Sequence, residues 1–226
     1  SLNYLSKRYN FTLINDACHS IGAKINNDVK YAIKYADYVT QSFHPVKAIT
    51  TAEGGSVITN NKKIADKISL MRNHNMEHNR SKDPWVYKIQ NPGMNYRISD
   101  VHCALGISQI KSLDNFIKKR RQIAKIYKQE LSYNKLFTLP EENSNFYHAY
   151  HLFPIQIDFK KLKITKKDMY YNFLKKGIKL QVHYLPIHLQ PFYKKNFKVD
   201  RKLLINSENF YINQFSLPIY PSLKKK

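Results

Sequence analysis

The sequence predicts an α/β fold, and three observations carry that expectation. The apolar run Phe11-Thr12-Leu13-Ile14-Asn15 stops at Asp16, as a buried parallel strand does at its carboxyl end. Two further apolar runs, Tyr38 to Phe43 and Ser56 to Asn60, flank a turn-prone loop holding Lys47 and Glu53-Gly54-Gly55. In the C-terminal half a strand-like run, a capped helix and a second strand-like run follow one another, which fits a smaller α+β unit.

Between these regions, Ile64 to Arg72 has helical periodicity. It leads into a polar loop through Pro92 that carries His74, His78, Asn79 and Trp85. Ser99 is a good helix N-cap, and Val101, Ala104, Leu105, Ser108, Leu113, Phe116 and Ile117 recur after it at helical spacing. The pattern resumes at Ile123, Ile126, Tyr127 and Leu131. One long connecting helix over 99–132 is expected, joining the C-terminal part of a large domain, 1–98, to a small C-terminal domain, 133–226. Past Pro140, His151 to Ile157 alternates like a strand. Thr165 can cap a helix through Lys175 that Gly177 ends, and Lys179 to His183 reads as the second strand. There are no internal repeats, and Lys224-Lys225-Lys226 reads as a solvated tail.

Composition narrows the function. A hydrophobic content of 42% over 226 residues supports a packed core, while no run approaches the roughly 20 apolar residues that a membrane span requires. Ser1-Leu2-Asn3 does not begin a signal peptide, and a cytoplasmic setting is expected. Cys18 and Cys103 read as small packed thiols rather than a disulfide. The net charge of +22 fits a basic nucleic-acid-binding protein. However, clusters such as Lys118-Lys119-Arg120-Arg121 and Lys160-Lys161 share no repeated motif, and the Lys, Asn, Ile and Tyr bias is what an AT-rich genome yields. No specific nucleic acid is expected; a positive field would still steer an anionic substrate.

Asp16 and Lys47 make a pair with a known chemical use. Pyridoxal phosphate needs a lysine amine to condense with its aldehyde and a carboxylate facing its pyridine nitrogen. That nitrogen stays protonated beside an anion, and the protonated ring is an electron sink. Alone, Lys47 reads as a solvated charge and Asp16 as a turn cap. Together, with Ser42 and Glu53-Gly54-Gly55 between and after them, they read as the cofactor's two anchors. The Ser42 hydroxyl suits the cofactor phosphate, against a plain strand-end serine as the competing reading. His183, Tyr184 and His188, with His148 and His151, could suggest a metal site. They lack the tight spacing and the acid or thiol partner of zinc motifs, so no metal is expected. Sugar hydroxyls or a diphosphate suit them better, with aromatic domain packing as the alternative.

Four segments carry a resemblance to a known family: Ser42-Phe43-His44-Pro45-Val46-Lys47-Ala48-Ile49-Thr50-Thr51; Asn91 to Asp100 with Ala104-Leu105-Gly106; Gln181 to Tyr193; and Ser216-Leu217-Pro218-Ile219-Tyr220-Pro221. In that order they resemble the DegT/DnrJ/EryC1/StrS sugar aminotransferases, a branch of the fold-type I pyridoxal-phosphate enzymes. The resemblance implies that fold: part of its large domain and a small α+β domain. It implies pyridoxal phosphate as cofactor, glutamate and a nucleotide-sugar as substrates, and a homodimer with shared active sites. The Ser42–Thr51 segment is most similar to members of the pseudaminic-acid pathway. These aminate the C4 ketone of a UDP-linked 4-keto-6-deoxy-N-acetylhexosamine.

By the same resemblance, His19 matches a His or Gln that contacts the cofactor ring or its phenolic oxygen; a solvent-facing helix-start histidine is the alternative. Asn95 matches an asparagine that reaches the neighbouring subunit's cofactor phosphate, against simple turn formation. Arg97 binds substrate or braces its loop. His183, Tyr184 and His188 fall in the substrate-side segment. Dehydratases of the family carry histidine at the lysine position, so Lys47 argues for a transaminase. Another nucleotide-linked keto-sugar and a catalytically inactive remnant remain as alternatives. Family members extend beyond both ends of this chain. An interior fragment, inactive alone, is therefore expected.

Overall fold

The computed structural model describes residues 2–78, 83 and 85–224, and the chain divides into two units. One comprises Ser1–Asp114 and Ser144–Ala149, the other Asn115–Asn143 and Tyr150–Lys226.

In the first unit the central strand is Tyr38–Ser42. The Ile14–Asp16 strand runs parallel to it, with Asp16 opposite Thr40. The Gly55–Ile58 strand pairs antiparallel on the other side, with Gly55 opposite Ser42. Val39, at 1% exposure, anchors the sheet. The parallel pairing carries Asp16 and Ser42 to the same carboxyl edge, where α/β sheets present their ligand sites. The first strand is shorter than the Phe11–Asn15 run predicts. Leu13 N–H donates to the Asp37 carboxylate instead of to a strand. A helix over Leu2–Tyr9, unannounced by the sequence pattern, precedes it and ends at Asn10 in the left-handed region, φ 52°.

The helix predicted over 64–72 spans Lys62–Met71, capped by the Asn61 side chain, which accepts from Ile64 N–H. The polar loop after it contains an antiparallel pair, Met76–His78 with Tyr87–Ile89. Asn79 lies outside the described residues. Lys24–Ile25 pairs with Phe146–Tyr147, which ties residues 144–149 to the first unit. The single long helix expected over 99–132 is two helices, Asp100–Lys111 and Leu113–Leu131. Ser99 caps the first, its hydroxyl accepting from His102 N–H. At Ser112 the backbone N–H turns back to the Gln109 and Ile110 carbonyls, and this tightened last turn separates the two.

The second unit is built on an antiparallel sheet with Phe153–Ile157 in the middle, Gln214–Leu217 on one side and Phe137–Thr138 on the other. Phe153, Ile155 and Ile157 point into a core shared with Phe215, Leu180, Ala124, Tyr150 and Ile219. The alternation read from the sequence is the alternation of burial. Thr165 caps the Lys166–Lys175 helix, accepting from Asp168 N–H at 3.0 Å, and Gly177 follows it at φ 74°. Lys179–His183 is not the second strand. It makes one bridge, Gln181 with Ser216, and His183 N–H then donates to the Gln214 side chain rather than to a backbone ladder. The partner of Phe153–Ile157 comes instead from Gln214–Leu217, far along the chain.

Candidate active site

The loop carrying Lys47 is short and braced. Phe43 N–H donates to the Gly54 carbonyl at 2.9 Å, Thr51 N–H returns to the Phe43 carbonyl at 3.0 Å, and Thr50 Oγ1 donates to the same carbonyl. Lys47 N–H closes a turn on the His44 carbonyl. Directly after it, Ala48 and Ile49 are buried, which staples the loop to the interior and leaves the half-buried Lys47 side chain at its surface. Among the described residues no carboxylate pairs with Lys47 within 4 Å. Ser42 is half-buried, and its hydroxyl accepts from His44 N–H at 3.4 Å.

Asp16 sits at the end of its parallel strand with Oδ1 accepting Cys18 N–H at 3.1 Å. Its carboxyl is held below the usual carboxylate range, first by the Cys18 thiol and then by that backbone N–H, with the charges of His19 and Lys47 adding to the effect. Burial pushes the Cys18 thiol up, and Asp16 pushes it further. The Cys18 sulfur also lies 4.0 Å from the Thr40 carbonyl. Asp16, His19 and Lys47 are thus close enough to act on one another electrostatically. An acid that stays ionised, beside a lysine without an ion-pair partner, suits a cofactor with a basic ring nitrogen and an aldehyde. Cys18 is the participant the sequence reading did not place here; its only signal was its position two residues after Asp16.

Asn95 and Arg97 lie on an exposed segment of the same unit. That segment is laid against the end of the Lys62–Met71 helix. Met94 N–H donates to the Met71 carbonyl, Tyr96 N–H to Arg72, and Asn95 bridges Asn73. Arg97 Nη1 donates to Asn73 Oδ1 at 2.6 Å, a bracing contact. The close approach depends on Gly93, where a Cβ would stand 2.2 Å from the His74 carbonyl carbon and 2.3 Å from Asn75 N. Since both neighbours are backbone, Gly93→Ala is expected to cost about 2 kcal/mol or more. Urea unfolding of the full-length protein checks this; a midpoint equal to wild type would contradict it.

His183, Tyr184 and His188 belong to the second unit and line one cavity of ≈ 630 Å³, with Tyr193, Phe197 and Phe210 among its walls. His183 Nδ1 meets Ser216 Oγ at 2.8 Å. Tyr184 is two-thirds exposed, its ring set edge-on to His183. His188 Nε2 lies 3.0 Å from Glu208 Oε1, and Arg201 grips the same carboxylate. Glu208 and Arg201 were absent from the sequence reading. Among the described residues no group of three or more His, Cys, Asp or Glu is arranged to hold a metal. Among the described residues no helix is long and apolar enough to cross a membrane.

Comparisons with known proteins show the family and the fold. A family model described as the DegT/DnrJ/EryC1/StrS aminotransferase family matches residues 1–226. The chain is 38% identical, over 225 residues and 100% of its length, to a UDP-4-amino-4,6-dideoxy-N-acetyl-beta-L-altrosamine transaminase of Campylobacter jejuni, covering 58% of that protein. A protein of the same name from Helicobacter pylori is 33% identical over 228 residues, with 99% of this chain and 57% of that protein covered. Among solved structures, Helicobacter pylori PseC, an aminotransferase involved in the biosynthesis of pseudoaminic acid, matches with a TM-score of 0.88. Its identity is 31%, and the match covers 98% of this chain and 58% of that one. DesV from S. venezuelae shares the fold, with a TM-score of 0.84 at 24% identity over 99% of this chain and 57% of DesV. The chain therefore spans a little under three-fifths of the length of the relatives it matches.

Proposed function

The chain belongs to the DegT/DnrJ/EryC1/StrS aminotransferase family and has the α/β, fold-type I architecture of its solved members, and on that basis we propose that the full-length protein is a pyridoxal-phosphate-dependent nucleotide-sugar transaminase. Its reaction moves an amino group from glutamate to the C4 ketone of a UDP-linked 4-keto-6-deoxy-N-acetylhexosamine, as in pseudaminic acid biosynthesis. We further propose a cytoplasmic homodimer with shared active sites and no specific nucleic-acid partner. The observation that carries the reading is the placement of Lys47, on its braced loop, within electrostatic reach of an ionised Asp16 at the carboxyl end of the neighbouring strand.

Pyridoxal phosphate, when bound, supplies an aldehyde that accepts the amino group and a ring that withdraws electrons from the reacting carbon. The Lys47 amine would hold that aldehyde between cycles and, once released, move a proton at the substrate carbon. Asp16 would keep a proton on the ring nitrogen, a role its ionised state supports. The Ser42 hydroxyl would donate to the phosphate, and His19 would contact the ring or its phenolic oxygen. Asn95 would serve the phosphate of the partner subunit's cofactor. Arg97, His183, Tyr184 and His188 would meet the sugar or its diphosphate.

The test offers the full-length enzyme glutamate with UDP-linked and dTDP-linked 4-keto sugars in parallel. The UDP-N-acetylhexosamine is expected to turn over faster and to carry its new amine at C4, read by NMR of the product. Faster turnover of a dTDP-sugar, or amination at C3, would defeat the substrate assignment.

A further inference from the structure

Glu208 lies on the Ile205–Asn213 helix and, although charged, is 8% exposed. Both carboxylate oxygens are used. Oε1 receives Arg201 Nε–H at 2.8 Å and lies 3.0 Å from His188 Nε2, while Oε2 receives Arg201 Nη2–H at 2.5 Å. A forked guanidinium of this kind is a permanent cation, and it holds the Glu208 carboxyl down to about 2, with His188 adding to the effect. Glu208 is therefore ionised throughout the neutral range and is an acceptor only.

That bears on which ring nitrogen of His188 carries hydrogen. An ionised carboxylate has no proton to offer, so the 3.0 Å contact is a hydrogen bond only when Nε2–H is the donor. In the neutral ring, Nδ1 is then a bare lone pair. The His188 side chain is 8% exposed and lines the same cavity as His183 and Tyr184, so it is held in one place with one nitrogen left to offer.

We propose that Glu208, anchored by Arg201, is a positioning residue that fixes His188 as the Nε2–H tautomer and so presents Nδ1 as a hydrogen-bond acceptor for a substrate hydroxyl. The chemical class this selects is a polyhydroxylated ligand whose O–H donates into the cavity. The substrate part of the inference rests on the transaminase reading; the tautomer part stands on the side-chain geometry and on the ionised state of Glu208. Second partners of this kind orient an imidazole and set its basicity wherever histidine acts as a ligand.

The experiment uses the full-length protein with nitrogen-15-labelled histidine, His188→Gln identifying the His188 signals. Long-range proton–nitrogen correlation near pH 8 is expected to show Nε2 protonated and Nδ1 bare. Glu208→Gln places an amide there that can donate or accept, so the tautomer preference is expected to be lost. In steady state, Glu208→Gln is expected to raise KM for the nucleotide-sugar about tenfold, the worth of one hydrogen bond. KM for glutamate and kcat should stay within about twofold. The effect should not add to that of His188→Gln, because both remove the same contact. A native Nδ1–H tautomer would overturn the proposal. So would a Glu208→Gln variant that loses thermal stability but keeps the tautomer and the nucleotide-sugar KM, since that describes a structural staple only. If the tautomer shifts as expected in a protein that aminates no nucleotide-sugar, the transaminase reading falls and the positioning of His188 by Glu208 is upheld.

Discussion

Lys47→Ala in the full-length protein is expected to abolish amino transfer, with a loss of about four orders of magnitude or more, while leaving the fold in place. The size follows from losing two roles at once, covalent attachment and proton transfer, either of which contributes several powers of ten on its own. The retention of fold follows from the loop. Lys47 contributes a backbone N–H to the His44 carbonyl, which alanine keeps, and the neighbouring Ala48 and Ile49 supply the burial. Its amine forms no ion pair within 4 Å among the described residues, so little stability leaves with it. Turnover, the absorbance of bound cofactor and thermal unfolding are measured side by side. Borohydride reduction of wild type followed by peptide mapping should place the pyridoxyl group on Lys47. A tag on another lysine, or a variant with substantial residual turnover, would overturn the assignment.

The parts of this site that are legible in the sequence are those whose physics is local. An apolar run ending in Asp16, a strand ending in Ser42 and a Gly-rich return after Lys47 lie in one continuous stretch, and the sheet assembles from it in order. Thr165 and Ser99 cap helices through hydrogen bonds three residues away, so their signals are also local. What escaped depends on partners distant along the chain. Lys179–His183 and Gln214–Leu217 are both plausible strands by composition. Which one completes the small sheet was decided by pairing with Phe153–Ile157, because strand preference is mostly a preference for a particular packed surface. Glu208 reads as a solvated charge on a helix until its neighbours are known, and the residue it orients, His188, lies on a different segment. Cys18 reads as a packing thiol, and only the fold of the turn brings its N–H onto Asp16.

Arg120→Met is expected to destabilise the second unit strongly for a change outside its apolar core. Arg120 is 4% exposed on the Leu113–Leu131 helix, yet no carboxylate pairs with it within 4 Å among the described residues. Its Nη1 instead gathers three carbonyls, donating to Ile219 at 2.7 Å, Tyr150 at 3.2 Å and His151 at 3.3 Å. One guanidinium thus ties the helix to the chain entering the central strand and to the segment after the last strand. Two effects oppose each other on substitution. Burial without a counter-charge pushes the guanidinium pKa down, and among the described residues Nε finds no partner, so removing the charge relieves a desolvation cost. Against that, methionine replaces the stem but no donor, and carbonyls buried around Nη1 are left unpaired at about 1–3 kcal/mol each. Two N–H groups serve three acceptors, so the loss is nearer two such bonds than three. With the relief subtracted, a net destabilisation of about 3 kcal/mol is expected, in the range of broken buried polar networks. Arg120→Ala should cost more, since it adds a cavity. Arg120→Lys should fall between wild type and Met, because an ammonium restores donors on a shorter reach. Urea unfolding of the full-length protein, followed in the second unit, orders the three variants. An Arg120→Met protein as stable as wild type would show that the buried charge costs as much as its carbonyl bonds return.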